Sequence, residues 1–226
     1  MIGGINFGYM FSLIMASLLF DFEPIGAMQI LIFNLINDCA CIFIAWDNVE
    51  DEFVRQPRNW DATNLRTVFM NWGPMCCVTD IISWMFFAFL VLPATGLVGS
   101  GWEVFTGGIN ADNNYIAVCV FECLWCIEQY WMQVWAIHIV RTNKMPFRDT
   151  WSAKILVATT IIALVIGTIL PFTSLGEAII DFPGLNLAGI IPWWSMLIMP
   201  VIAVTYFTIS HLAKKRMLRK YGYFAC

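Results

Sequence analysis

Residues 25–46 read IGAMQILIFNLINDCACIFIAW, an apolar run in which Asp38 is the single charged residue. A helix needs about 20 predominantly apolar residues to cross the hydrocarbon core of a bilayer. This run therefore predicts a membrane-spanning helix. The pattern recurs along the chain in six apolar stretches bounded by polar, glycine or proline residues, at about 5–20, 25–46, 68–92, 114–140, 154–171 and 190–213.

The composition agrees with a membrane location. Of the 226 residues, 60% are hydrophobic and only 12% are charged, whereas soluble domains are about half apolar and about a quarter charged. The loops between the stretches are too short to hold a soluble domain. We therefore predict an all-α membrane protein, a bundle of six transmembrane helices formed by residues 1–226 as one domain. Outside the loops that flank the helices, no basic patch is interleaved with aromatic residues, which argues against binding to nucleic acid.

The distribution of charge predicts the orientation. Basic residues follow only the second, fourth and sixth stretches, and the other three connections carry only acidic residues. The positive-inside rule then places both termini in the cytoplasm. We expect the protein to lie in the inner (plasma) membrane of the cell. The basic residues are Arg55, Arg58, Arg66, Arg141, Lys144, Arg148, Lys154, Lys214, Lys215, Arg216, Arg219 and Lys220, and the opposing acids are Asp21, Glu23, Glu103, Asp112, Glu177 and Asp181.

The first stretch is shorter than the others. Sixteen helical residues reach only about 24 Å, less than the roughly 30 Å of a hydrocarbon core. The stretch indicates either a tilted helix in a locally thinned bilayer or a longer helix that has been cut.

Polar groups at mid-membrane depth are the candidates for function, because burying them in lipid is costly. Asn34 and Asp38 are one helical turn apart and share a face. Their oxygen atoms suit a hard cation, and Mg²⁺ in particular, because this ion keeps several waters and needs few protein ligands. Hydrogen bonding between helices would equally explain such residues. Cys39 and Cys41 could form a soft-metal site, although small buried cysteines are common in helices.

Further polar residues lie in the other stretches. Asp80 follows Gly73-Pro74 by about two helical turns, and it could line an ion path or bond to a neighbouring helix. On the fourth stretch Glu128 points about 120° away from a polar stripe. The simplest explanation of the stripe is that it faces the interior of the bundle. His138 and His211 are expected to be anchors at the inner membrane boundary. The stripe consists of Cys119, Glu122, Cys126, Gln129 and Gln133.

Several motifs, in this order, resemble the last six helices of P-type cation ATPases, and most closely the bacterial magnesium-translocating group. The loop segments 47–53 and 57–61 are the most specific of these motifs. The others are Asn6-Phe7-Gly8, the run from Gln29 to Asp38, Gly73-Pro74 with Asp80, Glu128, Gln133, His138, Arg141-Thr142 and Pro171-Phe172.

The resemblance implies a bundle equivalent to helices five to ten of such a pump, with Mg²⁺ as the transported ion. Asn34 and Asp38 would be ion ligands and Asn6 a neighbour in the same site. Tyr9 stands where calcium pumps of the wider family carry a carboxylate, which argues against a calcium-type site. Asn37, Asp80 and Glu128 are further candidate ligands.

The catalytic motifs of that family are missing from the sequence. Asp-Lys-Thr-Gly, Thr-Gly-Glu and Gly-Asp-Gly do not occur, so the chain alone is expected neither to hydrolyse ATP nor to pump. ATP would act only through actuator, phosphorylation and nucleotide domains, for example on another chain. Two other functions remain open at this point, a non-catalytic membrane subunit of a transporter and a stand-alone channel or carrier for divalent cations.

Overall fold

The computed structural model describes residues 2–48, 62–110, 114–142, 144–180 and 184–221. In these ranges the regular structure is helical, without a β-strand, and one isolated β-bridge pairs Pro146 with Thr150. The loop segment 49–61, with its family-like motifs, and Asp112 and Asp181 lie outside the described residues. The helices are α1 (Ile2–Leu19), α2 (Ala27–Cys41), α3 (Ala62–Phe86), α4 (Leu92–Thr95), α5 (Tyr115–Val140), α6 (Lys154–Ile169), α7 (Ser174–Ile180), α8 (Gly184–Ile190) and α9 (Ile198–Tyr221).

Short segments of altered helical pitch extend the long helices. A 3₁₀ segment, Ile42–Trp46, continues α2, and a π-helical turn, Phe87–Val91, joins α3 to α4. The 3₁₀ segment Leu170–Phe172 follows α6. Another 3₁₀ segment, Trp193–Leu197, precedes α9. Pro74 lies within α3, where a proline removes one backbone hydrogen bond.

Four of the described helices have the length and apolar character of a membrane span: Ala27–Trp46, Phe69–Thr95, Lys154–Phe172 and Trp193–Lys220. The apolar part of α1, Asn6–Leu19, is shorter than a span. Helix α5 is long enough, but it carries acidic, amide and imidazole side chains. The membrane class is therefore supported, whereas the prediction of six spans is not confirmed and remains a prediction.

The position of α5 accounts for its polar composition. It packs against α1, α2, α3, α6 and α9, and side chains on every face of it are buried. A helix enclosed in this way can carry polar residues that a lipid-facing helix could not. By contrast, α6 presents a row of exposed apolar side chains, Ile155, Ile161, Ile162, Val165, Ile166 and Ile169.

Two glycines bring α1 and α3 into close contact. The Cα atom of Gly73 lies 3.7 Å from the point where a Cβ atom on Gly8 would sit, and the Sγ atom of Cys76 lies 2.8 Å from that point. Small residues allow helix backbones to approach closely, which strengthens packing in membranes where the hydrophobic effect is weak. The pair Gly8–Gly73 thus sets the distance between α1 and α3.

At one end of the bundle a buried ion pair connects three elements. Arg141, at the end of α5, donates from Nη1 to Asp47 Oδ2 at 2.7 Å, and the two side chains are only 5% and 8% exposed. Asp47 Oδ1 accepts a bond from the backbone N–H of Ala153, just before α6, at 2.7 Å. Arg141 Nη2 donates to the Thr150 carbonyl. We call Asp47, Arg141 and Ala153 the Asp47 junction.

Helix α9 reaches the same end of the bundle through a buried lysine. Lys214 Nζ donates to the carbonyl oxygens of Ile139 at 2.9 Å and Lys144 at 3.0 Å. Carbonyls in the last turn of a helix lack partners within the helix. Lys214 supplies one for α5, and its positive charge also suits the negative end of the helix dipole.

The opposite end of the bundle is held by aromatic packing. The ring of Phe20, just after α1, lies 5.0 Å from that of Phe121 on α5 and 5.3 Å from that of Trp84 on α3. Trp84 in turn packs edge-on against Trp125 at 5.2 Å. Asn114 donates to the Leu97 carbonyl at 2.7 Å, so the start of α5 is fixed to the residues that follow α4.

We predict that Gly8→Leu destabilises the protein by about 1–3 kcal/mol, because the added side chain must push α1 away from Cys76 on α3. The measurement is the free energy of unfolding of the purified protein in mild detergent. Gly189→Leu is the matched control, since nothing lies within 4 Å of a Cβ atom at that position. Equal stability of the two variants would contradict the close glycine crossing.

We also predict that Asp47→Ala costs about 3–5 kcal/mol of stability, because it leaves the guanidinium of Arg141 buried without its counter-charge. Asp149→Ala, which changes an exposed aspartate of the neighbouring loop, should cost under about 1 kcal/mol. The double variant Asp47→Ala, Arg141→Met should regain part of the loss, because it removes the stranded charge. Unfolding titrations of the three variants test this, and a double variant less stable than Asp47→Ala would refute it.

Candidate functional site

The first part of the candidate site lies on α2. Asn34 is half-buried, and its Oδ1 atom accepts a hydrogen bond from Gln133 Nε2 on α5 at 3.1 Å. Asn37 is buried, and its Nδ2 atom donates to the Sγ atom of Cys41 at 3.7 Å. The contact between Asn34 and Gln133 fixes one predicted ligand at the interface of α2 with α5.

Asp38, the predicted partner of Asn34, is exposed. It shares the outer surface of α2 with Leu31, Leu35 and Ile42, which are 59%, 58% and 62% exposed. In the described residues no hydrogen bond joins Asp38 or Asn34 to Asn6 on α1, and Asn6 is half-buried. The structure therefore presents Asp38 as a carboxylate on an otherwise apolar helix face.

The second part of the candidate site is an acid pair between α3 and α5, Asp80 and Glu128. Both are buried, with 0% and 1% of their surface exposed. Gln129 Nε2 lies 2.6 Å from Asp80 Oδ1 and 3.4 Å from Glu128 Oε2, so one amide bridges the two carboxyl groups. Ser83 Oγ lies 2.9 Å from Glu128 Oε1.

The two parts are neighbours along α5. Gln129 contacts Asp80 of α3, and Gln133, one turn further on, contacts Asn34 of α2. Residues four apart on a helix lie about 5–6 Å from each other. The polar stripe read from the sequence therefore links the acid pair to the face of α2 that carries Asn34. Glu128, although it points in another direction, is also buried, because α5 is enclosed on all sides.

The sequence did not single out two serines near the acid pair. Ser83 lies three residues after Asp80 on α3, at the spacing that brings helical side chains to one face. Ser12 of α1 is fully buried beside Asp80 and Cys77, but it makes no hydrogen bond of good geometry. Serines in apolar helices are too common for either residue to have stood out.

His138 differs from its expected role as an interfacial anchor. Its ring is buried, with Nδ1 3.0 Å from Ser152 Oγ and Nε2 3.1 Å from Thr160 Oγ1. It therefore joins α5 to α6 and the loop before α6. The polar partners are far from His138 in the sequence, so spacing alone could not reveal this role.

The described residues contain no group of three or more His, Cys, Asp or Glu side chains that could enclose a metal ion. Cys39 is exposed and Cys41 is half-buried, so these two cysteines are not part of a soft-metal cluster in the described part of the chain. A Mg²⁺ ion, which keeps much of its water shell, does not need a cage made wholly of protein ligands.

Comparison with known proteins identifies the family. Residues 22–215 match the family model described as cation transporting ATPase, C-terminus. Over 218 residues the chain is 32% identical to a magnesium-transporting ATPase, P-type 1, of Salmonella typhimurium strain LT2, and 27% identical to the protein of that name from Escherichia coli strain K12. Each match covers 96% of this chain and 21% of the relative, so the chain spans about a fifth of the relatives' length.

The family match covers most of the chain, including the helices that carry Asn34, Asp38, Asp80 and Glu128. The helical architecture and the apolar spans agree with it. The chain belongs to the cation-transporting ATPase C-terminus family, as a C-terminal membrane domain of the magnesium-transporting P-type ATPase kind.

Proposed function

We propose that this chain is the transport domain of a P-type ATPase that moves Mg²⁺ into the cytoplasm, with the cation bound on α2 by Asn34 and Asp38. The relatives are named as magnesium-transporting ATPases, which favours Mg²⁺ over other cations. The chemistry of the two side chains favours it too, because a carboxylate and an amide oxygen are hard ligands.

The observation that carries this proposal is the exposure of Asp38 on an apolar face. A charged group at the centre of a bilayer costs about 2.5–3.5 kcal/mol or more when it faces lipid. Leu31, Leu35 and Ile42 on either side of Asp38 make the surface suitable for covering by apolar neighbours. The face is therefore best explained as one half of a site that further membrane segments of the pump complete around a bound cation.

Asn34 can bind the same ion without losing its place in the fold. Its carbonyl oxygen has two lone pairs, one of which accepts the bond from Gln133. The other is free to face a cation one turn from Asp38. Asn6 on α1 is proposed as a neighbour of this site, whereas Asn37, which is buried and bonded to Cys41, is better placed to hold the helix.

The remaining parts of the proposal concern energy and orientation. ATP would act through actuator, phosphorylation and nucleotide domains, which are not in this chain. We place both termini in the cytoplasm, with the protein in the plasma membrane. In support, residues that follow the second, fourth and sixth predicted spans, Asp47, Arg141 and Lys214, meet at one end of the bundle.

We predict that Asp38→Ala or Asn34→Ala abolishes Mg²⁺-stimulated ATPase activity in a complete pump that carries this domain. Each removes one of the few protein ligands, and even partners of metal ligands contribute roughly 10–100-fold to metal affinity. The assay measures the phosphate that the pump releases in proteoliposomes while it drives Mg²⁺ uptake. Cys39→Ala, at an exposed position on the same helix, is the matched control and should keep full activity.

Full activity in both ligand variants would defeat the assignment of the site to α2. The complete pump with the unmodified domain could also prove stable but inactive. That result would favour a non-catalytic membrane subunit. Loss of activity in Cys39→Ala would point to a soft-metal site at Cys39 and Cys41.

We further predict that liposomes containing only this chain show no Mg²⁺ flux above that of empty liposomes, because the chain holds one half of the site and no source of energy. A Mg²⁺-sensitive dye inside the vesicles measures the flux. Flux without ATP that disappears in Asp38→Ala would support a stand-alone channel or carrier and contradict the pump proposal.

A further inference from the structure

The segment that joins α6 to α9 folds back on the bundle instead of extending away from it. Helix α7 packs against α2, and α8 packs against the 3₁₀ segment that follows α6. Leu187 of α8 is fully buried and Ile191, just after α8, is nearly so, and both belong to the main hydrophobic core. The described part of this segment is therefore held in a definite position on the bundle.

A groove with a volume of about 460 Å³ opens on this segment. Its lining comes from the 3₁₀ segment after α6, from the end of α8 and from the start of the 3₁₀ segment before α9. In the described part of the chain no charged side chain lines it. The lining residues include Phe172, Ala188, Gly189, Trp193 and Met196. We call this cavity the Gly189 groove.

The glycine of the groove has no structural reason to lack a side chain. Among the described residues nothing lies within 4 Å of the point where a Cβ atom on Gly189 would sit, and its φ angle is not in the left-handed region. A glycine in a helix is less stable than an alanine. The space beside Gly189 is therefore open to a molecule from outside the chain.

The groove opens where an apolar span begins, at the end of the bundle opposite the Asp47 junction. Trp193, on its rim, is the first residue of the span Trp193–Lys220 and is 79% exposed. Leu197, Val201 and Val204 follow at helical spacing and are also exposed, so they extend the apolar surface along α9. Because tryptophan is enriched at the boundary between hydrocarbon and headgroups, the groove faces the lipid at this boundary.

The charges near the groove select the part of a lipid that it can bind. No lysine or arginine occurs in the sequence between Lys154 and Lys214, and α7 carries an exposed acid, Glu177. A phosphate headgroup is normally recognised by basic side chains, which this segment does not supply. An acyl chain needs only an apolar surface, and the lining provides it.

We propose that the Gly189 groove binds an acyl chain of a membrane lipid, in the leaflet opposite the Asp47 junction. The chain occupies the open space beside Ala188 and Gly189, and the headgroup stays at the membrane surface. Apolar contact alone holds the lipid, so binding does not depend on the charge of the headgroup. The assignment is independent of the proposed pump function and of the Mg²⁺ site on α2.

Native mass spectrometry of the purified chain, released from nanodiscs, tests the proposal. The nanodiscs contain either phosphatidylethanolamine or phosphatidylglycerol with identical acyl chains. We expect a single lipid of either kind to stay bound after the loosely held lipids are removed. Ala188→Trp, which fills the groove, should abolish this retention. Ala178→Trp, at an exposed position of α7 outside the groove, is the matched control and should keep the lipid.

The absence of a retained lipid in the unmodified chain would overturn the proposal, and so would equal retention by the two tryptophan variants. Retention of phosphatidylglycerol alone, abolished by high salt, would also overturn it, because it would indicate recognition of the headgroup by charge. A lipid-free dimer that Ala188→Trp separates would assign the groove to a second copy of this chain. The comparison of the two lipids uses the unmodified chain, so it decides the question even if a variant does not fold.

Discussion

The enclosure of α5 is the constraint on which the rest of the structure depends. This helix carries Glu128, Gln129, Gln133 and His138, none of which could face lipid at acceptable cost. The helices packed around it supply the partners of these side chains: α3 bonds to Glu128 and Gln129, α2 bonds to Gln133, and α6 bonds to His138. Fixing those partners also fixes the arrangement of α2, α3 and α6 around α5.

The same constraint explains what could be read from the sequence. The apolar runs predicted helices because their length and hydropathy are properties of single segments, and the stripe of Gln129 and Gln133 followed from helical spacing. The count of membrane spans was less certain, because a central helix is shielded by protein and need not be apolar itself. The bond between Asn34 and Gln133, the Asp47 junction and the role of Lys214 join residues 70 or more positions apart, and no local pattern encodes such pairs.

The candidate site divides into two chemically different halves. On α2, Asp38 is exposed and Asn34 retains a free lone pair, so these groups can still receive a ligand. Between α3 and α5, Asp80 and Glu128 are closed to solvent and bridged by the Gln129 amide. Ser83 also bonds to Glu128, whereas Asp80 Oδ2 has no hydrogen-bond partner. From the sequence, carboxylates in both halves were candidate ligands of the same ion, and that assignment stays a prediction. The difference in their surroundings depends on neighbours from other helices, which the sequence pattern does not give.

The Asp47 junction has a mechanical consequence for α2. The chain of α2 is attached to α5 at Asn34 and, thirteen residues later, to α5 and α6 at Asp47. These two attachments prevent α2 from sliding along α5. Asp38 lies between them on the outer surface, so its height along the bundle is fixed without any bond to its own side chain.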